Sequence, residues 1–142
     1  MDAIDYKIVR LLQDNGRMSI KRIAETIHLT PPAVAGRIKK LEESGIISYY
    51  EAVVDHKKLG MNIKAIINII MGPEKRREFI EFARNKDSIL ECHHVTGGST
   101  MSIKAIFKDM SELDSLVGQI QQYGNTQTLI VLSTPIKRRG TI

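Results

Sequence analysis

The spacing of apolar residues changes once along this chain of 142 residues, close to residue 45. Before that point apolar side chains recur every three or four residues, which is the period of an amphipathic helix. After it, short runs rich in β-branched residues alternate with helix-like segments. A chain with this change of pattern is constrained to a helical first part and a mixed second part, an α+β fold.

Three short helices are predicted before residue 45. Asp2 is suited to cap the first helix, Gly16 to end it, and Ser19 to cap the second. The third helix lies within TPPAVAGRIKKLEESG at residues 30–45, after a short turn at His28. Because the last two helices are joined by a tight turn, the three are predicted to form a helix-turn-helix.

The third helix has one apolar and one solvent-facing side. Thr30 can cap it, and a proline directly after the cap lacks only an N–H that would have no helical partner. Gly45 stands where a left-handed residue would end it. Its predicted buried stripe is Val34, Ile38 and Leu41. Its predicted outer stripe is Ala33, Gly36, Arg37 and Lys40.

Positive charge is concentrated around these helices. The whole chain has a net charge of +5, and residues 17–41 carry six lysines and arginines against Glu25 alone, six minus one, which is also +5. A cationic patch of this size predicts a polyanion partner, and its position on a helix-turn-helix predicts that this partner is double-stranded DNA. The alternative is a basic face that is merely solvated.

The second part alternates between strand-like and helix-like segments in the order βαββαβ, which predicts a ferredoxin-like domain. Ser111 and Asp114 resemble a capping box for its second helix. We place the domain boundary at residue 60, so that 1–60 holds the helix-turn-helix and an extended linker (46–55), and 61–142 holds the ferredoxin-like domain. The predicted elements are strand 63–72, helix 73–85, strands 89–97 and 101–107, helix 110–123 and strand 126–133.

Two helices can cover only one face of a four-stranded antiparallel sheet. The first strand carries Ile66 and Ile70 on the face opposite its buried residues, and the last strand is apolar on both faces. An uncovered apolar face requires a partner. We therefore expect this domain to dimerise through its sheet.

Short segments along almost the whole chain match one known family in the correct order. They are D-x-x-D at residues 2–5, NGRMS at 15–19, IAETIHLTPPAVAGRIKKLEESGII at 23–47, ECHHVTGG at 91–98 and LIVLSTPIK at 129–137. On these segments the sequence resembles the Lrp/AsnC (feast/famine) transcriptional regulators. The resemblance implies a winged-helix-like N-terminal DNA-binding domain. It also implies a C-terminal ferredoxin-like domain that dimerises, assembles further into a tetramer or octamer, and often binds an amino acid.

The resemblance also identifies candidate DNA-binding residues. Thr30, Pro31 and Arg37 match the S-P-x-x-x-x-x-R pattern of the recognition helix, with threonine in place of serine. Ala33 and Gly36 cannot hydrogen-bond to bases through their side chains, so we predict modest direct readout and much selectivity from DNA shape. Thr30 and free N–H groups at the start of the third helix are expected to face phosphate. The full predicted set is Ser19, Arg22, Thr30, Pro32, Ala33, Gly36, Arg37, Lys39 and Lys40.

A glycine-rich turn is the candidate effector site, and its predicted residues are Gly97, Gly98, Ser99 and Thr100. Gly97 matches the glycine of the family's T-G-x-x-D turn, whereas Thr100 stands where aspartate is usual. The lost charge argues against a typical amino-acid ligand, although the N–H groups of Gly98 and Ser99 can still receive a carboxylate. A plain hairpin turn is the alternative reading.

Other chemistry is not indicated by the sequence. His93 and His94 would point to opposite faces of a strand, so Cys92-His93-His94 does not predict a metal site, and no cofactor is expected. A single cysteine and an N-terminus unlike a signal peptide favour the cytoplasm, and the apolar runs are too short to span a membrane. We predict no enzymatic activity. The alternatives to a local regulator are an architectural DNA-bending protein of the nucleoid type and an Lrp-like enzyme such as a tetrapyrrole decarboxylase.

Overall fold

The computed structural model describes residues 1–138, 140 and 141, which form two compact units. The N-terminal unit comprises residues 1–53 and the described part of the segment from residue 135 onward; the C-terminal unit comprises residues 54–134. The N-terminal unit thus ends before the boundary expected at residue 60. It takes in the C-terminal segment, where Arg138 Nη1 lies 2.6 Å from Glu51 Oε2.

The N-terminal unit is built from three helices: α1 (Ala3–Asp14), α2 (Ile20–Ile27) and α3 (Pro31–Glu43). Their apolar faces meet in a core centred on Ile8, Ile23 and Val34, all fully buried. His28 adopts a left-handed conformation (φ 57°) that ends α2 and permits the tight turn into α3. The predicted helix-turn-helix is therefore confirmed.

No β-strand follows α3 in this unit within the described residues. Residues 48–55 have no regular secondary structure, although their β-branched and aromatic composition predicts an extended segment. Several of these side chains, including Tyr49 and Val53, are exposed rather than packed on a sheet. The unit is a helix-turn-helix without the hairpin that forms a wing.

The C-terminal unit has the predicted βαββαβ order after a short 3₁₀-helix at His56–Leu59. Its elements are β1 (Ile63–Ile70), α4 (Pro73–Arg84), β2 (Ile89–His94), β3 (Met101–Phe107), α5 (Met110–Ile120) and β4 (Asn125–Ile130). The strands form one antiparallel sheet in the order β2-β3-β1-β4. The ferredoxin-like prediction is confirmed, with strand ends up to three residues shorter than expected.

The capping box predicted for α5 is wrong. Asp109, in extended conformation, accepts the Glu112 N–H at 3.0 Å, and Glu112 in turn accepts the Lys108 N–H at 2.9 Å. The helix therefore begins at Met110 and places Ser111 inside its first turn.

Both helices of this unit pack on one face of the sheet. Phe79 of α4 and Ile120 of α5 are fully buried against β1 and β3. The opposite face keeps apolar side chains in solvent, because Ile66, Ile70 and Leu129 are 38%, 55% and 45% exposed. No helix among the described residues is long and apolar enough to cross a membrane.

Candidate nucleic-acid interface

The outward face of α3 is small and apolar at its start and cationic further along. Val34 and Leu41 are buried, which turns the opposite side of the helix to solvent. At 100° per residue, that side is centred on Gly36 rather than on Arg37. The exposed residues of this side are Pro32, Ala33, Gly36, Lys39, Lys40 and, in the last turn, Glu43.

Arg37 lies at the edge of this face, and its guanidinium is engaged inside the unit. Its Nη1 is 2.7 Å from Asp2 Oδ2 and 2.7 Å from Asp5 Oδ1. The same two aspartates form the capping box of α1, in which each side chain accepts the backbone N–H of the other. Arg37 therefore joins the start of α1 to α3. The prediction from sequence assigns Arg37 to DNA and does not include this role, although D-x-x-D at residues 2–5 is the available signal.

The carboxylates of this cluster predict acid sensitivity. Backbone N–H donation within the capping box, followed by the Arg37 guanidinium, lowers the pKa of Asp2 and Asp5 below the ordinary value of 3.8. A folded-state pKa below the unfolded value gives stability that is present above pH 3.8 and lost as pH falls through the folded pKa.

We expect Arg37→Gln to reduce, without abolishing, this loss of stability in acid, because the backbone donors remain. Hydrogen exchange of α1 amides between pH 5 and pH 3, corrected for intrinsic rates, measures the effect. Arg138→Gln, which removes an exposed arginine paired with Glu51, is the control. Parallel acid profiles in wild type and Arg37→Gln would contradict this assignment.

Residues 31–34, the first turn of α3, leave no backbone N–H free for phosphate, contrary to the expectation from sequence, and at this helix start only the N–H of the cap residue Thr30 has no acceptor among the described residues. Pro31 and Pro32 have no N–H at all. The Ala33 N–H is directed at Thr30 Oγ1 at 3.4 Å, and the Val34 N–H bonds to the Thr30 carbonyl at 3.1 Å. Thr30 is thus a helix cap in this structure, as predicted.

The start of α2 does have free donors. Ser19 Oγ accepts the Arg22 N–H at 3.2 Å, and the Ser19 carbonyl accepts the Ile23 N–H. The N–H groups of Ile20 and Lys21 then have no acceptor among the described residues. Because the positive end of the helix dipole lies here, between basic side chains, α2 rather than α3 offers the receptive end for an anion.

We call five exposed cations of this unit the basic surface: Arg17, Lys21, Arg22, Lys39 and Lys40. Four of them have no carboxylate within 4.0 Å in the part of the chain that the structure describes. Lys39 Nζ is 3.7 Å from Glu43 Oε1, and both groups are largely solvated, so this pair is weak. The positive charge of the basic surface is therefore not neutralised by carboxylates of the described residues, so it is available to an anionic partner.

The candidate effector turn lies between β2 and β3. Gly97 has the positive φ (97°) that this turn requires, and no hydrogen bond to the N–H groups of Gly98 or Ser99 occurs among the described residues. The Thr100 hydroxyl accepts the Met71 N–H at 3.3 Å and donates to the Met71 carbonyl at 3.1 Å. Thr100 thus connects the turn to the end of β1.

The register of β2 places Cys92, His93 and His94, the residues considered as metal ligands, on different faces of the sheet. Cys92 and His94 pair with Ile103 and Met101, residues of the buried face, whereas His93 pairs with Ser102 on the other face. His93 Nε2 lies 3.1 Å from Glu91. Within the described residues, no three histidine, cysteine or carboxylate side chains are grouped to hold a metal ion.

Family models match both units of the chain. An AsnC-type helix-turn-helix domain matches residues 1–42, and an Lrp/AsnC ligand binding domain matches residues 64–141. The chain is 33% identical to the HTH-type transcriptional regulator LrpB of Bacillus subtilis, over 99% of this chain and 95% of LrpB. It is 35% identical to the HTH-type transcriptional regulator FL11 of Pyrococcus furiosus, over 93% of this chain and 89% of FL11.

Solved structures show the same fold. A transcriptional regulator of Neisseria meningitidis, crystallised in complex with L-methionine, matches with a TM-score of 0.92 and 27% identity, over 100% of this chain and 96% of that one. LrpC of Bacillus subtilis also matches with a TM-score of 0.92, at 25% identity, over 97% and 99% of the two chains.

Proposed function

This chain belongs to the Lrp/AsnC family of DNA-binding transcriptional regulators, and from that premise we propose that it binds DNA with α3 in the major groove and α2 across the backbone. The observation that carries this proposal is the basic surface, whose cations are unpaired or weakly paired. In this arrangement Lys21, Arg22 and the free N–H groups at the start of α2 receive phosphate. Lys39 and Lys40 flank the groove.

The front of α3 restricts how the groove can be read. Pro32, Ala33 and Gly36 have no hydrogen-bonding side-chain atoms, so they contribute close fit and contact with thymine methyl groups. Arg37, the strongest base-reading side chain in the predicted set, is instead bonded to Asp2 and Asp5. We propose that phosphate contacts supply most of the affinity and DNA deformability much of the selectivity.

The lack of hydrogen-bonding side chains at the front of α3 also supports a second candidate function, an architectural role over broad stretches of DNA. Selection of bound duplexes from random sequence, performed at two salt concentrations, separates the two functions. For a local regulator, the selected duplexes should share one sequence motif, which becomes better defined at the higher salt concentration. An architectural protein recovers weak, compositional preferences at both.

Gly36→Ala tests the placement of α3. An added Cβ at Gly36 meets no atom within 4 Å. Because alanine has a higher helix propensity than glycine, the free energy of unfolding of the N-terminal unit should rise by up to about 1 kcal/mol. DNA affinity should fall while its salt dependence is unchanged, because no charge is altered. Fluorescence anisotropy with a selected duplex measures both.

Gly118→Ala on α5 is the matched control, since a Cβ there also meets nothing within 4 Å. It should raise the stability of the C-terminal unit and leave DNA binding unchanged. Equal DNA affinity in wild type and Gly36→Ala would show that this face of α3 does not lie against the groove.

We propose that the chain acts as a dimer through the uncovered sheet face, with further assembly into tetramers or octamers. Ile66 and Leu129 are register partners on neighbouring strands, so their side chains form one exposed apolar patch with Ile70. A second copy of this face would remove the patch from water. Two helix-turn-helix units would then face two half-sites of DNA.

Ile66→Glu should dissociate this dimer, because it would place a carboxylate at the centre of the sheet face that dimerisation removes from water. Sedimentation velocity measures the change in mass, and circular dichroism checks that the fold is kept. Met110→Glu, which places the same charge at an exposed apolar residue of α5, is the control. A dimer that persists in Ile66→Glu would place the interface elsewhere.

We further propose that any effector binds at the 97–100 turn through a carboxylate. The N–H groups of Gly98 and Ser99 support this proposal, as does the L-methionine found in the Neisseria meningitidis relative. Thr100 offers no charge to an ammonium group, and its hydroxyl is already engaged with Met71. Thermal-shift measurements with amino acids and the matching deaminated acids distinguish the two ligand classes.

The relatives named above are regulators rather than enzymes, which supports a non-catalytic role. We therefore propose that the protein acts in the cytoplasm on DNA.

A further inference from the structure

One flank of α4 borders an open cleft of about 450 Å³ in the C-terminal unit. Its lining residues recur every three or four positions along the helix, so they form one continuous strip. The strip is lined by Pro73, Arg76, Arg77, Ile80, Glu81 and Arg84. It shares no residue with the sheet face, with the 97–100 turn or with the basic surface.

The charges of the cleft are not balanced. Arg84 Nη1 lies 2.9 Å from Glu81 Oε2, so these two neutralise each other. No carboxylate among the described residues lies within 4.0 Å of Arg76 or Arg77. Three arginines minus one glutamate leave the cleft with a net charge of +2.

Arg76 contains the one buried side-chain polar atom that has no hydrogen-bond partner among the described residues, its Nε. A buried donor without an acceptor is unfavourable, so such atoms are rare and require an explanation. Nε and one Nη of a guanidinium form an edge that binds two oxygens of one oxyanion. Because Nε is buried, an oxyanion in the cleft would reach this edge only after the Arg76 side chain turns toward it, and it would then satisfy Nε and neutralise Arg77.

We propose that this cleft binds a phosphoryl group. The two uncompensated guanidinium groups match a dianion better than a single carboxylate. Ile80 and Pro73 supply apolar surface for the organic part that carries the phosphate. The phosphoryl group comes from one of two sources, a small organic phosphate or the backbone of DNA that continues past the helix-turn-helix.

Isothermal titration calorimetry with adenosine monophosphate and with inorganic phosphate tests the small-molecule source, and adenosine is the ligand without phosphate. The variants are Arg77→Gln, a substitution at an exposed residue, and the double variant Arg76→Gln/Arg77→Gln. Lys75→Gln is the matched control on the same helix, since Lys75 does not line the cleft. We expect saturable binding of both phosphates that weakens about tenfold or more in the double variant and less than about twofold in Lys75→Gln.

The DNA source has its own readout, the slope of log affinity against log salt for a duplex longer than the helix-turn-helix site. If DNA fills the cleft, the double variant lowers this slope by about 0.9 for each phosphate that the cleft no longer neutralises, while Lys75→Gln does not. The basic surface is intact in every variant, so either response belongs to the cleft. The proposal is overturned if the double variant matches wild type in both measurements, or if Lys75→Gln matches the double variant.

Discussion

Gly124→Ala is expected to lower the free energy of unfolding of the C-terminal unit by about 2–3 kcal/mol. Gly124 stands between α5 and β4, directly before the residue that pairs with Ile70. A Cβ at Gly124 would overlap the carbonyl oxygen of Ile70, with the Ile70 carbonyl carbon at 2.9 Å and Met71 Cβ at 3.1 Å. Because the obstacle is backbone of the central strand, relief requires β4 to move away from β1.

Hydrogen exchange of the β3 amides measures this effect, since they report the opening of the C-terminal unit, whereas amides of α1 serve as an internal reference. Gly118→Ala is the opposite control: its Cβ is unobstructed on α5, and the unit should become more stable by up to about 1 kcal/mol. Unchanged β3 protection in Gly124→Ala would mean that the turn before β4 relaxes without cost.

The order of elements and the two cores were predictable because both depend on local periodicity. The alternation in β1 places Ala65, Ile67 and Ile69 on the buried face, as the spacing requires. Strand ends were less predictable. The apolar run that includes β4 continues to Leu132, yet Leu132 is 93% exposed, because composition does not determine where the pairing ladder with β1 ends.

The predicted interface residues differ from the structure where long-range packing decides. Within α3 alone, Arg37 belongs to the outer stripe. Its partners Asp2 and Asp5 come within reach only because α1 packs against α3, a contact between residues more than thirty positions apart in sequence. The general property of helix starts predicts free N–H groups at α3, whereas two consecutive prolines remove them there.

The basic surface carries the second large prediction. If Arg22 and Lys40 each bind a phosphate in both protomers of a dimer, Arg22→Gln/Lys40→Gln leaves four phosphates without their cation and lowers the slope of log affinity against log salt by about 3.6. At about 0.1 M salt we expect the affinity to fall on the order of 100-fold or more. Anisotropy titrations with a duplex selected from random sequence, at five salt concentrations, give both quantities.

Two further variants separate direct contact from net charge and from structure. Lys57→Gln/Lys58→Gln removes the same charge from the 3₁₀-helix of the C-terminal unit, so its slope should stay close to wild type. Arg37→Gln should also keep the slope, because its guanidinium is bonded to Asp2 and Asp5 and does not reach phosphate. If Arg37→Gln lowers the slope by about 1.8, which is 0.9 for one phosphate in each of two protomers, then Arg37 exchanges its aspartates for DNA when the complex forms. In that case the charge of α3, rather than the start of α2, is what positions this protein on its site.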